Sequence, residues 1–323
     1  MKKTKVLFFS ILVLITMILT GYFLFNMYTK QFFSYIYLDK ALYPQSIKIK
    51  CDMVSYYKEY RKKLNLEGQV SVRPAIFIFS DGYQNDLNKN FKKIQKIVEK
   101  YRIDHKDKEF YSGLIGDSFA KNVYAFTLTD GPIIFIKKTE NFKGSVFTEI
   151  GHLYLRKNVK SNIYNLHFFS ELFNNFLSDY LTDSSVAKII EKNLKLKYKS
   201  TSEEKKEYFL LVFLKTLYPN LTDKNNDLFD NFDEFLKSVK SENKEVWYYT
   251  KIETRYINRI VLISPFMYYL IIKYGNDAFM NFFHQLYSKE NYLETTYQSV
   301  FNESMEEDLK YFYNILKQYF KEK

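Results

Sequence analysis

The chain opens with a long uncharged segment behind a cluster of positive charge. Lys2, Lys3 and Lys5 precede an uncharged run over residues 6–28, close to the ~20 residues that a helix needs to cross a bilayer. Positive charge on the N-terminal side predicts a cytoplasmic N-terminus and a translocated remainder. A cleavable signal peptide is the competing interpretation, but its apolar region is usually ~7–15 residues long. We therefore predict an uncleaved transmembrane anchor, with its cytoplasmic stub, over residues 1–30.

Residues 31–143 mix helical and strand-like patterns and predict a small α+β lobe. The spacing of apolar residues over 43–66 predicts a helix that leads into the domain. The segment SVRPAIFIFSD is a short apolar run rich in β-branched and aromatic residues, typical of a buried strand. A polar helix should follow around residues 85–101. The segment NVYAFTLTDGPIIFIKK then predicts two strands separated by a turn.

From residue 144 onward the periodicity is helical, which predicts a mostly helical lobe over residues 144–323. Apolar residues recur at the spacing of a helix face in seven segments. These are VFTEIGHLYLRKN, NLHFFSELFNNFLSDYLTD, EYFLLVFLKTLY, FDEFLKSV, RIVLISPFMYYLIIKYG, DAFMNFFHQLYS and EEDLKYFYNILKQYF. Gly275, which ends one of them, is predicted to be a left-handed C-cap.

The distribution of charge along the chain argues against a nucleic-acid partner and is compatible with a membrane surface. Net charge is +11, but the lysines alternate with acids, as in TSEEKKEYF, and no nucleic-acid motif is present. We predict no nucleic-acid partner and a lysine-rich surface near anionic lipid headgroups. The single cysteine, Cys51, excludes an intramolecular disulfide, and we expect it to be a small buried residue.

One short segment carries the chemistry of a metal site. In Thr148-Glu149-Ile150-Gly151-His152 the first and last positions lie one helical turn apart on the same face. In the HExxH motif two histidines at this spacing bind zinc, and the glutamate is the general base on the metal-bound water. This chain has threonine where the first histidine is needed. Glu171 follows His152 by nineteen positions, at the start of another predicted helix, which makes the pattern TExxH-x18-E.

These features together resemble the gluzincin, or peptidase MA-like, family, which includes the aminopeptidase N and thermolysin groups. The segment FFSELFNNFLSDYL is similar to the family's aromatic-x-x-Glu segment, and FMYYLIIKYG is similar to its downstream F-x-x-Y-L-x-x-x-Y-G helix. Two strand-like runs precede the motif, as an active-site edge strand would. The resemblance covers about residues 70–320 at the level of pattern. It implies a zincin-like α+β domain, with a strand-containing lobe followed by a helical one.

The resemblance also implies roles for individual residues. His152 would be the second zinc ligand, Glu171 the third, and Glu149 the general base. Thr148 departs from the family, because a hydroxyl is a weak neutral donor where zinc prefers imidazole, thiolate or carboxylate. Losing even an outer-shell partner typically costs ~10–100-fold in metal affinity or activity, so this loss should cost more. The alternative way to hold zinc is a rearranged site that recruits His167, four residues before Glu171.

Three functions follow from these alternatives. The first is a catalytically impaired pseudo-metallopeptidase on the outer face of the cytoplasmic membrane, whose cleft still binds a peptide or protein. The second is an active zinc metallopeptidase with an altered ligand set and Glu149 as base. The third is a membrane-tethered helical interaction protein in which the E-x-x-H spacing is coincidental and His152 is a hydrogen-bonded interior residue. The sequence does not indicate an oligomeric state.

Overall fold

A computed structural model of the protein describes residues 2–67, 72–80, 125–127, 132–164, 166–182 and 266–321, with Asp233, Leu236 and Lys240. The predicted helices around 85–101 and 207–218 lie outside these residues. Contacts divide the chain into two units. Unit 1 comprises residues 1–59 and 70–149, and unit 2 comprises residues 60–69 and 150–323. The boundaries after residues 59 and 149 fall inside the helices over Ser46–Lys63 and Phe142–Asn158.

The N-terminal segment forms one continuous helix, α1, over Lys2–Thr29. Its 28 residues correspond to roughly 42 Å of helix. Residues Phe9–Thr29 are apolar enough to span a membrane, and none of the apolar window is buried inside the protein. The helix is as predicted, whereas its insertion and orientation in a membrane stay predictions.

Unit 1 is built on a four-stranded sheet in the order β1-β2-β4-β3. Strands β1, β2 and β4 are parallel, and β3 is the antiparallel edge strand. The strands are β1 Tyr35–Leu38, β2 Ala75–Phe79, β3 Ala125–Thr127 and β4 Ile133–Lys137. Every residue of β2 and β4 is buried, which explains their continuous apolar sequence. The three strands predicted from sequence are confirmed, but β1 was not predicted.

A 3-10 turn over Lys40–Gln45 and helix α2, Ser46–Lys63, follow β1. The predicted helix at the entry of the domain is therefore confirmed in its later part. It buries Ile49, Met53 and Tyr57, which lie four residues apart on one face. Cys51 lies on the other side and is exposed. The expectation of a buried cysteine was wrong because the apolar periodicity of α2 is carried by its neighbours.

Unit 2 is mostly helical, as predicted. The helix over Leu293–Phe301 was not predicted from the sequence, nor was the pairing of the two-residue strands Val159–Lys160 and Asn291–Tyr292. The described elements are α3 Phe142–Asn158, which begins in unit 1, β5 Val159–Lys160, α4 Leu166–Thr182, α5 over 266–274, α6 Asn276–Ser288, β6 Asn291–Tyr292, α7 Leu293–Phe301 and α8 Met305–Lys321. The zincin fold itself stays a prediction.

Aromatic rings form much of the core of unit 2. Phe173 of α4 meets Phe282 and Phe283 of α6 edge to face at 6.0 and 5.5 Å between ring centroids. This is a favoured geometry for aromatic pairs. Between α5 and α6, Gly275 has φ 87° and ψ 161°. The positive φ was expected, but the left-handed C-cap was not found, because ψ is extended and the residue begins the next helix.

Candidate functional site

The motif TEIGH lies in helix α3, as predicted. Thr148 is half-buried, and the side chains of Glu149 and His152 are both within buried residues that expose 3% of their surface. Burial of two polar side chains on one helix requires hydrogen-bond partners for each. The partners of Glu149 lie in unit 1 and those of His152 in unit 2, so each cluster is described separately.

In unit 1, the edge strand of the sheet contacts the motif glutamate. Thr127, the last residue of β3, donates its hydroxyl to Oε2 of Glu149 at 2.5 Å. The same hydroxyl oxygen lies 3.3 Å from the backbone oxygen of Glu149. The sequence placed a strand just before the motif helix but did not identify Thr127. The sequence feature that could have identified Thr127 is its position at the end of a short strand-like run, where a polar residue lies at the end of the strand.

In unit 2, His152 belongs to a buried chain of hydrogen bonds. Its Nδ1 lies 3.2 Å from Nδ2 of Asn174 on α4. The Oδ1 of Asn174 accepts the hydroxyl of Tyr287 on α6 at 2.7 Å. Burial raises the pKa of Tyr287 far above its ordinary value, so this hydroxyl stays protonated and can act as the donor.

The direction of these hydrogen bonds decides the protonation of the imidazole. Because the amide nitrogen of Asn174 is a donor, Nδ1 of His152 accepts, and the proton of the neutral ring lies on Nε2. A histidine that binds a metal almost always donates its second ring N–H to an acceptor. The chain Tyr287–Asn174–His152 runs in the opposite direction. In this orientation Nδ1 is an acceptor, and not the donor that a metal-binding histidine usually presents to an outer partner.

Gly151, the fourth residue of the motif, allows α3 to approach α4. A Cβ at this position would lie 2.3 Å from Oδ1 of Asn174 and 2.9 Å from the hydroxyl of Tyr60. Asn174 exposes 1% of its surface and is held by both His152 and Tyr287, so its amide cannot easily move aside. The glycine therefore has a packing role that does not depend on any metal.

Tyrosine rings surround this cluster. Tyr154 stacks between Tyr60 and Tyr287, at 6.3 and 6.2 Å between ring centroids. Burial first, and then the neighbouring tyrosines, raise the pKa of Tyr60 well above its ordinary value. Among the described residues, the rings that flank this cluster are therefore uncharged phenols at neutral pH.

The other residues implied by the resemblance are only partly placed. His167 and Glu171 both lie on α4, one turn apart, and their side chains lie outside the described residues. Their roles as zinc ligands stay predictions. Among the side chains that the structure describes, no three His, Cys, Asp or Glu residues converge as a metal site would.

The described part of the motif does not fit a zinc ion. Thr148 supplies only a neutral hydroxyl, and zinc prefers imidazole, thiolate or carboxylate ligands. His152 has its Nδ1 on an amide donor, so a zinc ion at Nε2 would have to displace a proton and reverse the amide of Asn174.

Among the described residues of unit 2, one buried carboxylate has more hydrogen-bond donors than any other side chain, and it was not predicted from the sequence. Asp308, in the first turn of α8, is fully buried. Its Oδ1 accepts from Tyr269 at 2.8 Å and from the ammonium group of Lys273 at 2.7 Å. Its Oδ2 accepts from Tyr274 at 2.7 Å and from Tyr297 at 2.5 Å. Four donors around one carboxylate offset the cost of burying its charge.

The donors of this cluster include two of the three tyrosines of the segment FMYYLIIKYG. Tyr269 and Tyr274 lie on α5 and meet the same carboxylate. Burial, and next the charge of Asp308, raise the pKa of Tyr269 and of Tyr297 well above their ordinary values. Asp308 itself gave no signal, since it is one acid among three in the first turn of α8.

Comparison with known proteins finds no matching family model, no matching curated protein and no matching solved structure. The family resemblance therefore rests on the pattern of residues alone.

Proposed function

We propose that this chain is a membrane-anchored, extracytoplasmic protein of the peptidase MA-like type that has lost metal-dependent catalysis and acts by binding a peptide or protein. The hydrogen bond from Asn174 to Nδ1 of His152 carries the proposal. Because Nδ1 accepts this hydrogen bond, the ring proton lies on Nε2, the nitrogen that would otherwise bind the metal. Thr148 replaces the first ligand on the same helix face.

The state of Glu149 supports the loss of catalysis. A general base must reach the water that it deprotonates, directly or through one further water. Glu149 exposes 3% of its surface, and one of its carboxylate oxygens accepts the hydroxyl of Thr127. This glutamate therefore has the surroundings of a structural residue that joins the edge strand to α3.

The N-terminal helix supports the membrane location. Helix α1 begins with three lysines in its first turn, and the apolar window that follows is not buried inside the protein. Exposed phenylalanine, leucine and isoleucine side chains at this density favour a lipid environment. The positive residues before this window favour a cytoplasmic N-terminus, with the residues from 31 onward outside the cytoplasm.

Zinc binding by the full-length protein in lipid nanodiscs tests the proposal. We expect the parent to bind no zinc tightly and Thr148→His to gain a tight site that His152→Ala abolishes. Thr148→Val is the matched control, because it changes the same position without adding a ligand. The measurement is zinc content after dialysis together with a competition titration against a chelator.

Two outcomes would contradict the proposal in different ways. If the parent binds one zinc and loses it with His152→Ala or His167→Ala, the chain is a metallopeptidase with an altered ligand set. If neither the parent nor Thr148→His binds zinc, the family resemblance is wrong, and the protein is better described as a membrane-tethered interaction protein.

The tautomer of His152 gives an independent test that needs no metal. The chain has four histidines, so the nitrogen resonances of the imidazoles can be assigned by comparison with His152→Ala. We expect the proton of His152 on Nε2. A proton on Nδ1 would mean that the amide of Asn174 is reversed and that Nε2 has the lone pair a metal needs, which removes the main support for the proposal.

A further inference from the structure

The 3-10 turn and α2 present an exposed face that mixes apolar and basic side chains. Tyr43 and Ile47 expose 55% and 61% of their surface and lie four residues apart. Cys51 and Ser55 continue the same line along α2, and Lys40 and Lys48 lie beside it, all exposed. We call these six residues the outer face. Large exposed apolar side chains flanked by lysines are typical of helices that lie in a membrane interface.

Contacts within unit 1 place the outer face next to the end of α1. The ammonium group of Lys50 donates to Oδ1 of Asn26 at 3.3 Å. That of Lys58 donates to the hydroxyl of Tyr28 at 2.5 Å and lies 5.0 Å from the centre of the same ring. Asn26 and Tyr28 belong to the last turn of α1, which ends at Thr29. Helix α2 therefore lies where α1 would leave the bilayer.

The spacing along α2 places Ile47 close to the residue of α2 that contacts the end of α1. Ile47 precedes Lys50 by three residues and Cys51 by four, so the three side chains lie on adjoining parts of one face. Lys50 reaches Asn26, which is three residues before the end of α1. Ile47 thus lies about one helical turn from the residue that contacts the last turn of α1.

The charge of this region fits anionic lipid. Lys40 and Lys48 are exposed, and long lysine side chains can keep their ammonium groups at the headgroups while their stems cover apolar surface. Of the acids on α2, Glu59 pairs with Lys143 at 2.7 Å, and Asp52 lies one turn from Lys48. With Lys50 and Lys58 included, the region keeps a positive charge. Each lysine near an anionic surface strengthens binding about fivefold.

We propose that the outer face lies on the membrane, with Tyr43 and Ile47 at the boundary between headgroups and acyl chains and with Lys40 and Lys48 bound to anionic phospholipid headgroups. The proposal rests on α1 spanning the membrane, which is part of the proposed function. The outer face would be a second point of attachment beside the transmembrane helix α1. Attachment at both places would fix the orientation of unit 1 on the bilayer.

The native protein carries its own reporter for this test, because Cys51 is its only cysteine and lies on the outer face. A nitroxide label on Cys51 of the full-length chain would be measured in phosphatidylcholine vesicles with and without phosphatidylglycerol. Collision with oxygen reports lipid, and collision with a nickel chelate reports water. Two control labels in a Cys51→Ser background, Leu14→Cys within α1 and Lys310→Cys on the exposed side of α8, report the bilayer interior and water.

We expect the Cys51 label to show oxygen and nickel accessibilities between those of the Leu14 and Lys310 controls, with less nickel contact when phosphatidylglycerol is present. Ile47→Asp should move the label toward the Lys310 value in both kinds of vesicle. The double change Lys40→Glu with Lys48→Glu should abolish the effect of phosphatidylglycerol.

Three results would overturn the inference. If the Cys51 label matches Lys310 while Leu14 is in lipid, α1 spans the membrane but the outer face does not touch it. If Leu14 is also in water, the anchor is wrong and this inference fails with it. If dipolar broadening shows two labels close together, the face is occupied by a second copy of the chain and not by lipid.

Discussion

Two buried polar clusters in unit 2 satisfy their hydrogen bonds in different ways. Around Asp308, one carboxylate gathers three phenol hydroxyls and an ammonium group. Around His152, a hydroxyl, an amide and an imidazole form one chain of hydrogen bonds. The motif that looks catalytic in sequence thus belongs to this chain, whereas the buried carboxylate of the other cluster belongs to no recognised motif. The chemistry of a buried residue is set by its partners as much as by its type.

Alkaline pH should affect both clusters, and we expect this to be the largest effect. Burial raises the pKa of Tyr60 and Tyr287 near His152, and burial with Asp308 raises that of Tyr269 and Tyr297. The folded state keeps these protons at a pH where unfolded tyrosine, with a pKa of about 10, loses them. Stability should therefore be intact below about pH 10 and fall by about 1.4 kcal/mol per pH unit for each such tyrosine above it.

Denaturant titrations at a series of alkaline pH values, with phenolate absorbance as a second signal, check this expectation. Tyr269→Phe should make the loss of stability less steep, whereas Tyr43→Phe, at an exposed position, should not. If all tyrosines ionise together near pH ~10 while the protein stays folded, the clusters are not buried as described.

Asp308→Ala should be the most damaging of the single substitutions. It leaves three tyrosine hydroxyls and the ammonium group of Lys273 without their shared acceptor, and breaking a buried ion pair from one side costs about 3–5 kcal/mol. The measurement is the free energy of unfolding of the full-length chain in detergent. Lys310→Ala on the exposed side of α8 is the control and should change little. A loss as small as that of the control would mean that the carboxylate of Asp308 is not the shared buried acceptor described above.

Gly151→Ala should come next. The new Cβ would meet Asn174 and Tyr60 in a closely packed site, and such overpacking typically costs about 1–3 kcal/mol. Gly21→Ala is the matched control, because nothing lies within 4 Å of a Cβ there and alanine is the better helix former. Shortening Asn174 to alanine in the Gly151→Ala background should recover part of the loss. A neutral Gly151→Ala would show that α3 and α4 are not in close contact at this point.

Tyr287→Phe should have the smallest effect on stability and the clearest effect on His152. It removes one hydrogen bond to Asn174, which is worth about 0.5–1.5 kcal/mol. It also removes the hydroxyl that orients the amide, so the imidazole proton should exchange between Nε2 and Nδ1. Nitrogen resonances of His152 would show this change, and Tyr292→Phe, at a more exposed position of unit 2, serves as the control. An unchanged tautomer would mean that the amide is oriented by other contacts.

Much of the fold was visible in the periodicity of the sequence. Helices α1, α3, α4, α6 and α8 and strands β2, β3 and β4 lie where the apolar spacing predicted them. Strand β1 was missed because four residues are too few to show a period, and its pairing with β2 joins segments some forty residues apart. Helix α7 was missed because its buried face is short, with Leu293, Tyr297 and Phe301 at every fourth position.

The sequence by itself determined the apolar helix at the N-terminus, the order of a strand-containing region before a helical one, and the position of Thr148, Glu149 and His152 on one helix. These follow from the local spacing of residues, because a helix or a strand places side chains on each of its faces at fixed intervals. Only the tertiary structure decided what those side chains bind. Asn174 reaches His152 from another helix and accepts in turn from Tyr287. Asp308 meets donors from two other helices. Buried polar groups need partners, and these partners are too distant in sequence for a local pattern to indicate them.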